Sequence, residues 1–127
     1  MKIDPFVSVD ETPFSASRED ILNARGRPSR SCRNGVGLNE LDYDDVVYRF
    51  QDCGRLEEVT KQAPTLTLGE IEIPFEALSD YLRAHDPSMF EKADFLVSPR
   101  FGLAFAPDCP PWVTALARHC LESWRAI

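Results

Sequence analysis

The most constraining stretch of this chain is a run of strand-forming residues that breaks and then resumes. Val46-Val47-Tyr48-Arg49-Phe50 is β-branched and aromatic, a composition that suits a pleated, half-buried surface. Asp52-Cys53-Gly54 interrupts it, and Arg55 to Lys61 takes it up again. A three-residue loop with glycine in the left-handed position is a common hairpin closure. The hairpin so defined sets Phe50 against Leu56, Arg49 against Glu57, and Val47 against Val59. Apolar then meets apolar and cation meets anion, as cross-strand pairs favour. A slip of one residue would set Phe50 against Glu57 and exchange the faces. Val46, Tyr48 and Phe50 are expected on the core face.

Charge is laid over this β-structure unevenly. Glu40 to Asp80 holds eleven acidic residues and three basic ones, a net −8, whereas the whole chain is −7. Everything outside the span therefore sums to +1. Asp42, Asp44 and Asp45 fall where the first strand begins and are expected to be exposed. A sequence pI near 4.8 argues against general nucleic-acid binding, which needs a basic surface to neutralise phosphates. It suits a basic partner, or it serves solubility alone.

A chain of 127 residues is long enough to bury a core, and one domain over 1–127 is expected. Met1 to Phe6 carries no apolar run of signal-peptide length, and no stretch is long enough to span a membrane. The expectation is a cytoplasmic protein. Cys32, Cys53, Cys109 and Cys120 form no C-x-x-C pair. Free thiols fit a reducing compartment, while an even count also fits two disulfides.

Residues 1–14 read as irregular, with a short edge strand at Val7 and Val9. Ser17 with Asp20 three residues on is a helix-start signal, and Gly26 with Pro28 is a stop, predicting a helix over Arg18 to Arg25. Residues 26–39 read as a long basic loop with Arg27, Arg30 and Arg33 and no acid before Glu40. Loops of that length are often functional. Its glycines do not make a phosphate-cradling or dinucleotide pattern. Leu66 and Leu68 share one parity and Ile71 and Ile73 the other, predicting a turn or bulge at Gly69. Phe75, Leu78 and Leu82 define a second helix from Pro74 to Ala84. A helical turn is expected from Asp86 to Ala93.

Phe95 to Ser98 and Phe101 to Ala106 read as a second hairpin, with Phe101, Leu103 and Phe105 on a bulky face and Gly102, Ala104 and Ala106 on a small one. Trp112, Leu116, Cys120 and Trp124 recur every four residues, predicting a last helix begun by Pro111. The sum is an α+β fold: a mostly antiparallel sheet of four to six strands with about three helices packed on one side.

Chemistry-bearing motifs are sparse. His85 and His119 are the two histidines, and neither lies in a ligand pattern. His119-Cys120 with Cys109 lacks the tight ligand pairs of structural zinc. A Cys-His pair such as Cys53 with His85 needs only spatial proximity. Asp42-Tyr43-Asp44-Asp45 stops short of a calcium loop. Neighbouring strand residues point to opposite faces, so neither Asp44-Asp45 nor Glu57-Glu58 shares a site on its own. No catalytic residue, metal or cofactor is expected.

Two segments resemble known families. Ala24-Arg25-Gly26-Arg27-Pro28, then Leu41-Asp42-Tyr43, Val47-Tyr48-Arg49-Phe50 and Gly54-Arg55-Leu56, resemble the helix-plus-hairpin unit of small outer-membrane assembly lipoproteins and β-lactamase inhibitor proteins. Those are binding proteins; the departure from them is that neither a signal peptide nor a lipid-attachment cysteine is expected from the residues at the start of this sequence. Gly102 to Thr114, with Pro107-Asp108-Cys109-Pro110-Pro111-Trp112 at its centre, is similar to the tail of small bacterial proteins of the toxin-immunity kind. That resemblance implies a non-enzymatic inhibitor whose acidic surface meets a basic toxin domain.

The expected contact residues are Asp42, Asp44, Asp45, Glu57 and Glu58 for long-range attraction, with Tyr43 as an aromatic anchor. The alternatives are a small metal- or thiol-dependent enzyme, or a homodimer subunit joined through a sheet edge. Neither nucleic acid nor membrane is an expected partner.

Overall fold

The protein is described by a computed structural model covering residues 1–126. Strands β1 (Lys2–Asp4), β2 (Ser8–Val9) and β3 (Thr12–Pro13) precede helix α1 (Arg18–Arg25). Then come β4 (Arg30–Arg33), β5 (Asn39–Asp42), β6 (Val46–Phe50) and β7 (Leu56–Gln62). The hairpin of β8 (Thr65–Leu68) and β9 (Ile71–Pro74) leads into helix α2 (Phe75–His85). β10 (Phe90–Lys92), β11 (Phe95–Ser98), β12 (Leu103–Phe105) and β13 (Trp112–Leu116) follow. A 3-10 turn at Arg118–Cys120 runs into helix α3 (Leu121–Arg125).

The fold is α+β, with a five-stranded sheet ordered β3-β2-β1-β8-β9 and an eight-stranded sheet ordered β10-β11-β12-β13-β7-β6-β5-β4. Pairing is antiparallel except between β1 and β8. The eight-stranded sheet exceeds the expected four to six strands because β10 and β13 lie in segments read as helical and because β4 (Arg-Ser-Cys-Arg), exposed along its whole length, carries no hydrophobic signal. The segment read as a basic loop is therefore partly an edge strand. It is held by its neighbour rather than by burial: Arg30 stands opposite Asp42 and Cys32 opposite Glu40.

Local signals were accurate where chain chemistry is strong. Ser17 caps α1 by accepting from the Asp20 N–H at 3.1 Å, while the Asp20 carboxylate accepts from the Ser17 N–H at 2.9 Å. Gly26 ends the helix at φ +79°, a conformation that costs glycine little. Gly69, at φ +61°, sits in the tight turn that pairs Leu68 with Ile71. α2 buries Phe75, Leu78 and Leu82. β11 and β12 form the second hairpin, with Leu96 opposite Phe105.

Two expected helical segments are strands. Phe90–Lys92 pairs with β11, replacing the helical turn expected from Asp86 to Ala93. Trp112–Leu116 is a central strand between β12 and β7, replacing the first half of the last helix. A spacing of four places residues on one helical face and equally on one strand face. Val113 and Thr114 in the segment favour the strand.

The larger core lies between one face of the eight-stranded sheet and the smaller sheet with α1 and α2. It unites Ile3, Leu66 and Ile73 with Leu41, Phe50, Val59, Leu78 and Leu82. Each such side chain, fully buried, stabilises by roughly 1.5–3 kcal/mol. On the opposite face, Val97, Ala104 and Leu116 pack with Cys120, Leu121 and Trp124. The helices are thus divided between both faces of the large sheet, not gathered on one. The small face of β12 is what admits the C-terminal helix. Among the described residues, no helix is long and apolar enough to cross a membrane.

Candidate functional site

The acidic residues singled out above fall into three settings. The first is the turn joining β5 to β6. Asp44 has φ +72°, and its N–H donates to Asp42 Oδ1 at 2.8 Å, the side-chain-to-backbone bond that makes Asp a turn residue. That bond, and then the Arg30 guanidinium, hold the Asp42 carboxyl below the usual aspartate range. Arg30 pairs with Asp42 at 2.7 Å, Arg25 with Asp45 at 3.1 Å, and Ser29 Oγ donates to Asp44 at 2.6 Å. Arg33 pairs with Asp52. Much of this charge is balanced from within by α1 and β4. Tyr43 donates its hydroxyl to the Gly26 carbonyl at 2.9 Å, and its ring lies under Arg25 and edge-on to Tyr48. Its aromatic surface is half-buried and engaged internally.

The second setting was not legible in any local motif. Phe50 pairs with Leu56 as expected, but Arg49 then pairs with Glu58, not Glu57, and Val47 with Thr60, not Val59. Glu57 is the extra residue of a β-bulge. Leu56 and Val59 both belong to the larger core although three positions apart, which strict alternation forbids. That odd spacing is the signal by which the bulge could have been found.

Its consequence is that Glu57 and Glu58 are both turned inward, with 3% and 8% exposure. Neither lies on an outward β surface. His119 Nε2 lies 2.5 Å from Glu57 Oε1, and Arg55 is 3.4 Å from the same oxygen. Glu58 has no hydrogen bond or ion pair to any described residue. Burial pushes its carboxyl up, the charges of Glu57 and Glu40 add to that, and Arg49 opposes them. Burial likewise pushes the Cys120 thiol well up, with Glu58 and Glu57 adding to the effect.

Around these groups lie three clefts. One of about 510 Å³ is bordered by Cys53, Arg55, Arg118 and His119. The second, about 620 Å³, lies over Glu57, Glu58 and Trp124. The third, about 240 Å³, lies over Glu58, Thr60, Trp112 and Trp124. Cys53 and His119 share the first cleft, whereas His85 stacks on Tyr81 at 4.3 Å at the far end of α2. Cys32, Cys53 and Cys109 are exposed, Cys120 is buried, and all four are free thiols. Among the described residues no group of three or more His, Cys, Asp or Glu is placed to hold a metal ion.

The third setting carries the uncompensated charge. Glu70, Glu72, Glu76 and Asp80 are all exposed, and none has an ion pair to a described residue. They run from the β8–β9 turn along β9 to the middle of α2. Glu76 and Asp80, four apart on one helix face, repel each other by a few tenths of a kcal/mol, on the order of 0.2–0.5. Arg83, which could relieve them, is turned toward Ser79 and Glu91. β9 is also an edge of the smaller sheet, and Ile71 on it is 50% exposed.

No protein-family model, curated protein or solved structure matches this chain.

Proposed function

We propose that the chain is a non-enzymatic binding protein, and in concrete form an immunity-type inhibitor that neutralises a bacterial toxin by docking on its basic domain. The observation that supports this reading is the row of Glu70, Glu72, Glu76 and Asp80 beside the open edge of β9. Seven of the eleven acids between Glu40 and Asp80 are hydrogen-bonded, ion-paired or buried; these four are none of those. An unbalanced row of carboxylates steers a basic partner during encounter. An open strand edge and an exposed isoleucine offer main-chain bonds and apolar contact once it arrives. Asp44 and Asp45, exposed at the β5–β6 turn, add to the same field at lower strength because arginines and a serine already engage that turn. Asp42 and Tyr43 shape the turn, and Glu57 and Glu58 contribute charge without direct contact.

Recovery of the tagged protein from its host, with identification of what co-purifies, should yield a stoichiometric basic protein. Reversing Glu70, Glu72, Glu76 and Asp80 to lysine should then slow association at low salt by about tenfold or more, with the circular dichroism spectrum unchanged. Reversing Asp42, Asp44 and Asp45 should slow it less. Equal rates for wild type and the four-lysine variant would remove this surface from the account.

A second reading is favoured by one specific arrangement. Cys53 and His119 border one cleft, and Glu57 holds the His119 ring, so the three residue types used by thiol-dependent enzymes lie around one space, with the Cys53 thiol bonded to Gln51. On that reading, iodoacetamide modifies Cys53 faster than the exposed Cys32 and Cys109, and His119→Ala removes the difference. Equal alkylation of the three thiols would dismiss it.

A further inference from the structure

The face of the large sheet that carries α3 holds one carboxylate without a hydrogen bond or ion pair to a described residue. Arg49 is engaged by Glu40 at 2.6 Å and by Thr60 Oγ1 at 2.5 Å, and Thr60 in turn bonds Thr114 at 2.8 Å. Glu57 is matched by Arg55 and His119. Glu58 is left over: nine-tenths buried, without a hydrogen bond to any described residue, and bordering both the 620 Å³ and the 240 Å³ clefts. Trp124 is the other residue common to the two clefts. It meets Phe95 edge-to-face with centroids 5.3 Å apart, and Trp112 borders the same 240 Å³ space.

No buried side-chain nitrogen or oxygen of the described residues lacks a partner, so the unbonded Glu58 oxygens open onto cleft space, where a carboxylate is poorly hydrated and a supplied cation compensates it. Small hard cations are poorly served here, since they want several oxygen ligands and a single carboxylate stands in this space. A weakly hydrated organic cation is well served, because aromatic faces attract it while excluding water.

We propose that this cleft binds an organic ammonium group, with Glu58 as its counter-charge and the rings of Trp112, Trp124 and Phe95 as its walls. Arg49, engaged by Glu40 at 2.6 Å, lines the same space, so the ammonium group sits on the side of Glu58 that the rings enclose. The small side chain of Ala106 leaves the space open on the β12 side. This site lies on a different face from the β9–α2 acids and stands or falls separately from the docking reading.

The chain's two tryptophans both border the cleft, so intrinsic fluorescence reports its occupancy directly. Choline chloride should give a saturable change in emission, whereas its neutral isostere 3,3-dimethylbutan-1-ol and sodium chloride at equal ionic strength should not. Nα-acetyl-Nε-trimethyllysine methylamide, titrated in parallel, separates a free amine from a lysine side chain as the source of the group. Glu58→Gln should keep the fold, since the carboxylate has no partner to lose, and should weaken ammonium binding by about tenfold or more. Trp112→Phe, which keeps an aromatic wall and leaves Trp124 as sole reporter, should retain the preference for the cation. The proposal is overturned if neither ammonium probe gives saturable binding up to about 50 mM. It is equally overturned if the neutral isostere binds as well, or if Glu58→Gln binds as wild type does.

Discussion

Replacing Asp86 with alanine should cost about 3 kcal/mol of folding stability, because it orphans buried donors. Asp86 is 2% exposed and stands where the chain leaves α2. Its Oδ1 accepts from the Ser88 N–H at 2.9 Å, and its Oδ2 accepts from Ser98 Oγ at 2.6 Å and the Arg100 N–H at 3.0 Å. It thereby ties the end of α2 to the β11–β12 turn, and the Ser98 hydroxyl it holds is itself fully buried. Burial pushes this carboxyl up, but the Ser88, Ser98 and Arg100 hydrogen bonds outweigh that and leave it below the ordinary 3.8. A depressed native-state value means the contribution is present above the unfolded-state value and is lost as pH falls through the native one. The gap between wild type and Asp86→Ala, measured by urea denaturation, should therefore shrink on acidification below about pH 4. Asp86→Asn should recover part of the loss. A gap that is flat with pH would place the stabilisation elsewhere than in the carboxylate.

Replacing Arg49 with methionine should cost about 2–4 kcal/mol at neutral pH. The loss is short of that for a fully buried pair, since Arg49 and Glu40 each keep 21% side-chain exposure. Two carboxylates feel this one guanidinium: Glu40 by direct contact, and Glu58, without a bond to it, across the strand pair. Burial pushes the Glu40 carboxyl up, but the hydrogen bond and charge of Arg49 outweigh it and hold Glu40 below the ordinary 4.5. In wild type that contribution is present above pH 4.5 and fades on acidification. In the variant, Glu40 loses the guanidinium that holds its carboxyl down and Glu58 loses the charge that opposes its upward shift, so protonation relieves both. The variant should regain ground on wild type as pH falls from neutral through the carboxylate range, in paired denaturation curves. A constant difference would mean that Arg49 acts through its packing alone.

What was readable from sequence follows from where the information is local. The Ser17–Asp20 box, the Gly26 stop, the Phe50–Leu56 closure and the Phe75–Leu78–Leu82 stripe each depend on residues within a few positions. They appear in the structure as expected. β4 was invisible because it buries nothing and pairs through charge with a strand nine residues on. β13 was misread because every fourth residue repeats on a strand as it does on a helix. The inward carboxylates read as surface groups because the bulge that turns them in leaves only an odd Leu56–Val59 spacing. The ring cluster over Glu58 was beyond local reading, since its members come from β11, β13 and α3, and His119 meets Glu57 across 62 positions. The acidity of the central span was legible as an amount; its division into balanced, inward and free portions depends on partners far along the chain.

The bulge at Glu57 has an evolutionary corollary. A version of this gene one codon shorter at that point would still encode the same turn, the same core contacts and the same Arg49–Glu58 pairing. It would lack the acid that steadies the imidazole, and the 620 Å³ cleft would lose one of its walls. Everything distinctive about this face hangs on a single triplet, so an insertion or deletion there would alter what the molecule can hold far more than it would alter its shape.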